Sequence, residues 1–216
     1  MNTDFARQQM VEQQVRAWDV LNADILAVLK NVPREQFVPA GFETLAFADT
    51  EIPIGHGQMM MTPTLEGRVL QALELSSTDS VLEIGTGTGF LAACLARLVK
   101  SVTSLDIHES FLKSASTNLE GSGINNVELA AMDATQALPD EQFDAIAITG
   151  SIQNFDPRFV MALKPEGRLF VVVGDAPAMD ARLIRRISET EWRTESLFET
   201  ELIPLVHGSL PPQFLF

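Results

Sequence analysis

The strongest chemical signal in the sequence is a glycine-rich turn with three carboxylates spaced around it. Glu83 stands two residues before Gly85-Thr86-Gly87-Thr88-Gly89. Asp106 closes the next apolar run, and Asp133 follows the one after that. Glycines after a strand let a ligand approach the backbone closely. In open α/β sheets, ligands bind outside the carboxyl ends of the strands. The spacing here is G-x-G-x-G, whereas dinucleotide folds use G-x-G-x-x-G to set a pyrophosphate on a helix N-terminus. Glu83 is poor company for a phosphate and good company for a cation. Asp106, at a strand end, can accept from both hydroxyls of a ribose. Asp133 can accept from an adenine amino group or can cap a turn. A ligand with cationic groups, a ribose and an adenine is S-adenosylmethionine, which carries a sulfonium and an ammonium. The expected cofactor-binding set is Glu83, Gly85, Thr86, Gly87, Gly89, Asp106 and Asp133.

Those residues need a frame. From Ser80 onward the pattern alternates strand and helix. Strands are expected over Ser80–Ile84, Ser101–Asp106, Val127–Ala130, Phe143–Thr149 and Gly167–Val173. Helices are expected over Phe90–Val99, Glu109–Leu119 and Phe159–Leu163, with one more around Ala181–Ile187. Strand-like stretches close the chain at Glu195–Glu199 and Leu202–Val206. Continuous apolar strands suit burial on both faces, and regular β-α alternation implies a doubly wound parallel sheet. Residues 1–77 read instead as a helical and loop-rich region packed on a core of 78–216, the two forming a single globular unit. Met10, Val11, Gln14, Val15 and Trp18 fall at helical spacing. Asn22 caps a second helix through Leu29, and Pro33, Pro39 and Pro53 punctuate a long irregular stretch.

Composition narrows the function classes. The 216 residues suffice for one domain with a sizeable core. With 29 acidic against 15 basic residues and a net charge of -14, a nucleic-acid partner is not expected. No run reaches the roughly 18 apolar residues of a membrane span. The N-terminus, Met1 to Gln9, lacks the apolar core of a signal peptide, so a cytoplasmic location is expected. The single cysteine, Cys94, lies in an apolar stretch that reads as a buried helix and a packed thiol. His56, His108 and His207 show no metal-ligand spacing.

The chain resembles the protein-L-isoaspartate O-methyltransferase family of class I methyltransferases. Val32-Pro33-Arg34-Glu35-Gln36-Phe37-Val38-Pro39 matches the family's V-P-R-E-x-F-V-P, and Ile52-Pro53-Ile54-Gly55-His56-Gly57-Gln58 its L-P-I-G-H-G-Q. Leu82 to Gly89 matches its L-E-I-G-T-G-S-G, Phe143-Asp144-Ala145-Ile146 its F-D-A-I, and Ile203-Pro204-Leu205-Val206 its V-P-L-V. The resemblance implies a Rossmann-like, mostly parallel, seven-stranded sheet with an N-terminal helical and loop extension. It implies transfer of a methyl group from S-adenosylmethionine to the free carboxylate of isoaspartyl residues in damaged proteins, leaving S-adenosylhomocysteine and starting protein repair. A carboxylate is already ionised at pH 7, so the reaction needs no general base.

In the family, Gly-His-Gly-Gln is followed by T-I-S-x-P, whose serine is assigned to catalysis. Here that stretch is Met59-Met60-Met61-Thr62-Pro63, with Met61 at the serine position and Met59 at the threonine position. Methionine cannot donate a hydrogen bond to a carboxylate; Thr62 is the neighbouring hydroxyl. The resemblance places substrate near His56, Met59, Met60, Met61 and Thr62. His56 either orients substrate or holds its own loop. Three readings remain open at this point: the family reaction, the same fold with a less polar small-molecule acceptor, and a non-catalytic cofactor-binding homologue. Monomer and homodimer are equally open.

Overall fold

The computed structural model describes residues 3–208. Two short strands, β1 (Ile52–Gly55) and β2 (Gln58–Met60), pair as a hairpin. Seven more build one sheet: β3 (Ser80–Ile84), β4 (Ser101–Asp106), β5 (Val127–Ala131), β6 (Phe143–Ile152), β7 (Leu163–Asp175), β8 (Ala178–Arg186) and β9 (Trp192–Thr200). Their spatial order is β5-β4-β3-β6-β7-β8-β9. The first five are parallel, and β8 and β9 run antiparallel at one edge. The chain therefore moves outward from β3 through β4 to β5, then returns to the other side of β3 as β6. That reversal opens a crevice at the carboxyl ends of β3 and β6.

Side chains along a strand alternate faces, and the central strands bury both sets. Val81, Val102, Ala145, Ala147, Phe170 and Val172 enter one apolar cluster. Leu82, Ile84, Leu105, Ile146, Ile148 and Leu169 enter the other. The first face is thick. On it lie α2 (Ala23–Asn31), α3 (Pro63–Ala72) and α4 (Phe90–Ala96), with Leu119 of α5 (Glu109–Gly121). Helix α1 (Thr3–Gln9) runs on through a wide turn, Met10–Val15, and a tight one, Arg16–Trp18. Met10, Val11 and Val15 join the same cluster as Val81 and Phe90. The second face is thin, covered by the single turn of α6 (Arg158–Met161) and by the segment following β5.

Local chemistry sets the helix starts. Asn22 caps α2 by accepting from the backbone amides of Asp24 and Ile25, at 2.9 and 3.3 Å. Thr62 caps α3 from Leu65, with Pro63 at the first helical position, where its missing N–H costs nothing. Cys94 is fully buried in α4.

Four sequence expectations are corrected. Ala181–Ile187 is not a helix but the body of β8. Ala181, Ile184 and Ile187 mimic a helical stripe, yet Ile187 is exposed while Met179, Ala181 and Leu183 are buried in strand alternation. Leu202–Val206 is not a strand; it makes one parallel bridge, Pro204 to Ser151. The helix expected through Val99 ends at Ala96 and is followed by turns, and that expected through Leu163 is one turn long. In the last case Leu163 already begins β7. The apolar tail Pro211–Phe216 lies outside the described residues.

Candidate functional site

At the crevice, β3 hands over to the glycine turn. The amides of Gly85 and Thr86 both donate to the Leu105 carbonyl, at 2.8 and 3.1 Å, which carries the β3–β4 pairing one step past the strand. Gly85, Gly87 and Gly89 all have positive φ, at 100°, 51° and 84°. At Gly85 a second constraint applies. A Cβ there would stand 2.2 Å from the Thr149 hydroxyl, and that hydroxyl clamps the turn by contacting the Ile84 and Gly85 carbonyls at 3.0 and 2.8 Å.

Asp106, 7% exposed, sits beside this turn. Its Oδ2 accepts from the Gly87 amide at 3.0 Å and its Oδ1 from the His108 amide at 2.9 Å. Each carboxylate oxygen keeps a second lone pair for a ligand hydroxyl.

Glu83 is fully buried. Its Oε2 accepts from Ser104 Oγ, which lies 2.7 Å from Thr86 Oγ1. With Glu83 ionised, the single Ser104 proton goes to the carboxylate, so Thr86 donates to Ser104. Glu83 Oε1 has no partner. Burial pushes the Glu83 carboxyl up to about 8, against the pull of the Ser104 hydrogen bond. A buried carboxylate with one free oxygen is a site for a cationic donor.

Asp133 follows β5. Its Oδ1 accepts from the Thr135 amide at 3.0 Å and hydroxyl at 2.6 Å, and its Oδ2 from His207 Nδ1 at 2.8 Å. Burial alone would raise this carboxyl; the Thr135 and His207 hydrogen bonds outweigh it and hold the carboxyl below its usual value. The turn-capping role considered for Asp133 is thus present in its Thr135 contacts.

Two neighbouring spaces with shared walls lie among these groups. The larger, about 600 Å³, is lined by Ile54, Met59, Gly85, Asp106, Asp133 and Leu205, among others. The smaller, about 320 Å³, is lined by Met59, Met60, Met61, Glu66, Glu83 and Thr86, among others. Ile54, Met59, Gly85, Gly87 and Thr149 border both. No lysine or arginine lines either one, so the electrostatics favour a cation.

The methionine segment forms the wall opposite the glycine turn. Met59 is half-buried, and Met60 and Met61 are buried in the core cluster. Thr62 does not line either space. Its hydroxyl caps α3 and lies 3.0 Å from Thr64 Oγ1, so it is turned to helix capping. His56 stacks on His108 with ring centroids 4.1 Å apart, and its Nε2 lies 2.9 Å from Ser110 Oγ. His56 therefore holds the β1–β2 turn against the start of α5.

Several site residues escaped the sequence reading. Ser104 and Thr149 are ordinary strand residues until the sheet places them beside Glu83 and Gly85. Arg34 lies in a quoted motif, but its buried pairing with Glu66 joins segments far apart in the chain. His207 and Leu205 belong to a strap, residues 202–208, that borders the larger space through Leu205 and Val206. The sequence signals for the strap were the Ile203–Val206 match and the strand-like pattern over Leu202–Val206.

The chain matches the family model described as protein-L-isoaspartate(D-aspartate) O-methyltransferase over residues 6–210. It is 36% identical over 207 residues to protein-L-isoaspartate O-methyltransferase 2 of Pelobacter propionicus, covering 95% of this chain and 92% of that one. It is 34% identical over 202 residues to protein-L-isoaspartate O-methyltransferase 1 of Geotalea uraniireducens, covering 93% and 92%. Its fold matches a Plasmodium falciparum protein described as a protein-L-isoaspartate O-methyltransferase and solved with S-adenosyl-L-homocysteine. There the TM-score is 0.82 at 17% identity, over 93% of this chain and 98% of the other.

Proposed function

The chain belongs to the protein-L-isoaspartate(D-aspartate) O-methyltransferase family, and on that premise we propose that it transfers a methyl group from S-adenosylmethionine to an isoaspartyl carboxylate. One observation carries the reading. Glu83, Asp106 and Asp133, at or just beyond the carboxyl ends of three adjacent parallel strands, border two neighbouring spaces with shared walls that no lysine or arginine lines.

The residues fit the cofactor. Glu83 Oε1 is buried and unpartnered, as an ammonium requires. The glycine turn offers bare backbone at Gly85 and Gly87 to the larger space. Asp106 suits the ribose hydroxyls and Asp133 the adenine amino group. S-adenosylmethionine, when bound, supplies a methyl group activated by its sulfonium. The chain's own part is then to hold and to exclude. The Asp106–Gly87 and Thr149–Gly85 hydrogen bonds fix the turn before ligand arrives, so its ordering is not paid at binding. The methionines, Ile54 and Leu205 keep water from the reacting centre. No proton needs to be removed from an ionised carboxylate, which suits a site without a paired acid and base.

A second reading is favoured by one observation. At the family's serine position stands the buried Met61, and Thr62 is committed to capping α3, so neither places a hydroxyl against an acceptor carboxylate. The acceptor is then a less polar small molecule seated against Met59. A methyl-transfer assay with purified protein, S-adenosylmethionine and an isoaspartyl peptide, beside its aspartyl control, separates the readings. Methylation of the isoaspartyl form alone is expected. No transfer, with cofactor binding demonstrated in the same sample, overturns the first reading.

A further inference from the structure

We infer that His207 is a positioning residue that fixes the Asp133 carboxylate, so that the strap 202–208, together with the sheet, reads the base of the cofactor. The inference rests on the proposed placement of the adenine amino group at Asp133. Asp133 lies in the irregular segment after β5, on the thin face of the sheet, and its Thr135 contacts come from two residues along the same loop. They move with it. The bond from outside the loop comes from His207, 74 residues away in sequence, at 2.8 Å. A carboxylate accepts only, so His207 Nδ1 carries the hydrogen, whether the ring is neutral or charged.

The strap can serve as a fixed reference because it is anchored to β6. The Ser151 amide donates to the Ile203 carbonyl at 3.0 Å, and the Leu205 amide to the Ser151 carbonyl at 2.9 Å. The Ser151 hydroxyl, itself buried, donates to the Leu202 carbonyl at 2.7 Å, and the Gln153 amide to the Gly208 carbonyl at 3.0 Å. Leu205 then drops onto the crevice floor: a Cβ at Gly150 would meet its side chain at 2.7 Å. Leu205 and Val206 both line the larger space. His207 itself has φ of 66°, in the left-handed region that few residues other than glycine adopt. Such conformations persist where the surroundings over-determine them and gather at functional sites. The route from β6 through the strap to His207 and Asp133 is continuous, and Asp133 Oδ2 retains a lone pair for a ligand donor, Oδ1 being filled by its two Thr135 contacts.

The test is calorimetric binding of S-adenosylhomocysteine and of its inosine analogue, in which the adenine amino group is replaced by an oxo group. The readout is the ratio of the two dissociation constants. His207→Asn keeps a donor near the Nδ1 position and tolerates positive φ; His207→Gly tolerates positive φ without a donor. Asp133→Ala tests the underlying placement. The wild type and His207→Asn are expected to prefer the adenine compound, and His207→Gly and Asp133→Ala to lose roughly tenfold of that preference, the scale of one hydrogen bond to a charged group. If Asp133→Ala loses the preference while His207→Gly keeps it, His207 does not position Asp133. If His207→Gly weakens both compounds by the same factor, the strap is a wall only and the inference falls. If Asp133→Ala keeps the preference, the adenine placement fails and takes the inference with it.

Discussion

The backbone carbonyl of Met61 and the guanidinium of Arg34 meet at 2.7 Å beneath the methionine segment, in a fully buried environment. Arg34 also pairs with buried Glu66 and lies over the Phe90 ring at 4.7 Å. The cation next to the substrate segment is therefore engaged in holding that segment's backbone and is not available to an acceptor carboxylate.

Removing that cation leaves Glu66 buried and uncompensated. Arg34→Met is expected to destabilise the fold by about 3–5 kcal/mol, the usual cost of breaking a buried ion pair from one side. Arg34→Met with Glu66→Met should recover most of it, because an apolar pair of similar volume often replaces a buried ion pair at little cost. Urea denaturation of the two variants and the wild type checks this. A single variant no less stable than the double one would show that Glu66 is not left as an uncompensated buried charge.

The proposed pairing of Glu83 with the ligand ammonium predicts that cofactor binding is linked to a proton. Its carboxyl is raised from 4.5 to about 8 by burial, so the ligand-free protein carries it largely protonated at pH 7. A ligand ammonium requires the ionised form. Binding of S-adenosylhomocysteine at pH 7 should then release up to about one proton, seen as a dependence of the binding heat on buffer ionisation enthalpy. Glu83→Gln should abolish that dependence. The same shift acts on stability. A raised carboxyl stabilises fully below about 4.5 and loses that contribution as pH rises through about 8. The ligand-free Glu83→Gln variant should therefore show a flatter stability profile across that window.

The parallel half of the fold was legible because its signals are local. Val81 to Ile84, Ser101 to Asp106 and Phe143 to Thr149 are short apolar runs separated by helical patterns, and the G-x-G-x-G turn marks the crevice between them. The antiparallel edge was not. Ala178–Arg186 carries both a strand alternation and a helical stripe, and its backbone pairing with β7 decides between them. The same limit hid the site's supporting residues. Ser104 beside Glu83, Thr149 over Gly85 and His207 on Asp133 are contacts between segments, and no spacing along the chain encodes them. The capping role of Thr62 was readable in principle from Thr-Pro before an apolar helix.

Asp106 holds the Gly87 and His108 amides, and in the proposed placement its remaining lone pairs face the ribose, so a substitution removes both together. Asp106→Ala is expected to weaken S-adenosylhomocysteine binding by about 1–3 kcal/mol, the range for a lost charged acceptor. Titration calorimetry reads it directly. An unchanged dissociation constant would refute the ribose placement.

Met61→Ser asks whether the missing hydroxyl matters to the family reaction. The Met61 side chain is buried in the core cluster, so replacing it removes apolar volume and is expected to cost about 2–4 kcal/mol of stability. Activity must therefore be read as kcat/KM per folded molecule, at a temperature where both forms remain folded. If the isoaspartyl carboxylate is the acceptor, the restored hydroxyl gains a charged hydrogen bond and kcat/KM should be preserved or raised, by up to about tenfold. The aspartyl control peptide should stay unmethylated in both forms. If neither form methylates the isoaspartyl peptide while both bind S-adenosylhomocysteine, the acceptor is a different molecule. The apolar wall formed by Met59 with Ile54 then becomes the surface against which to search for it.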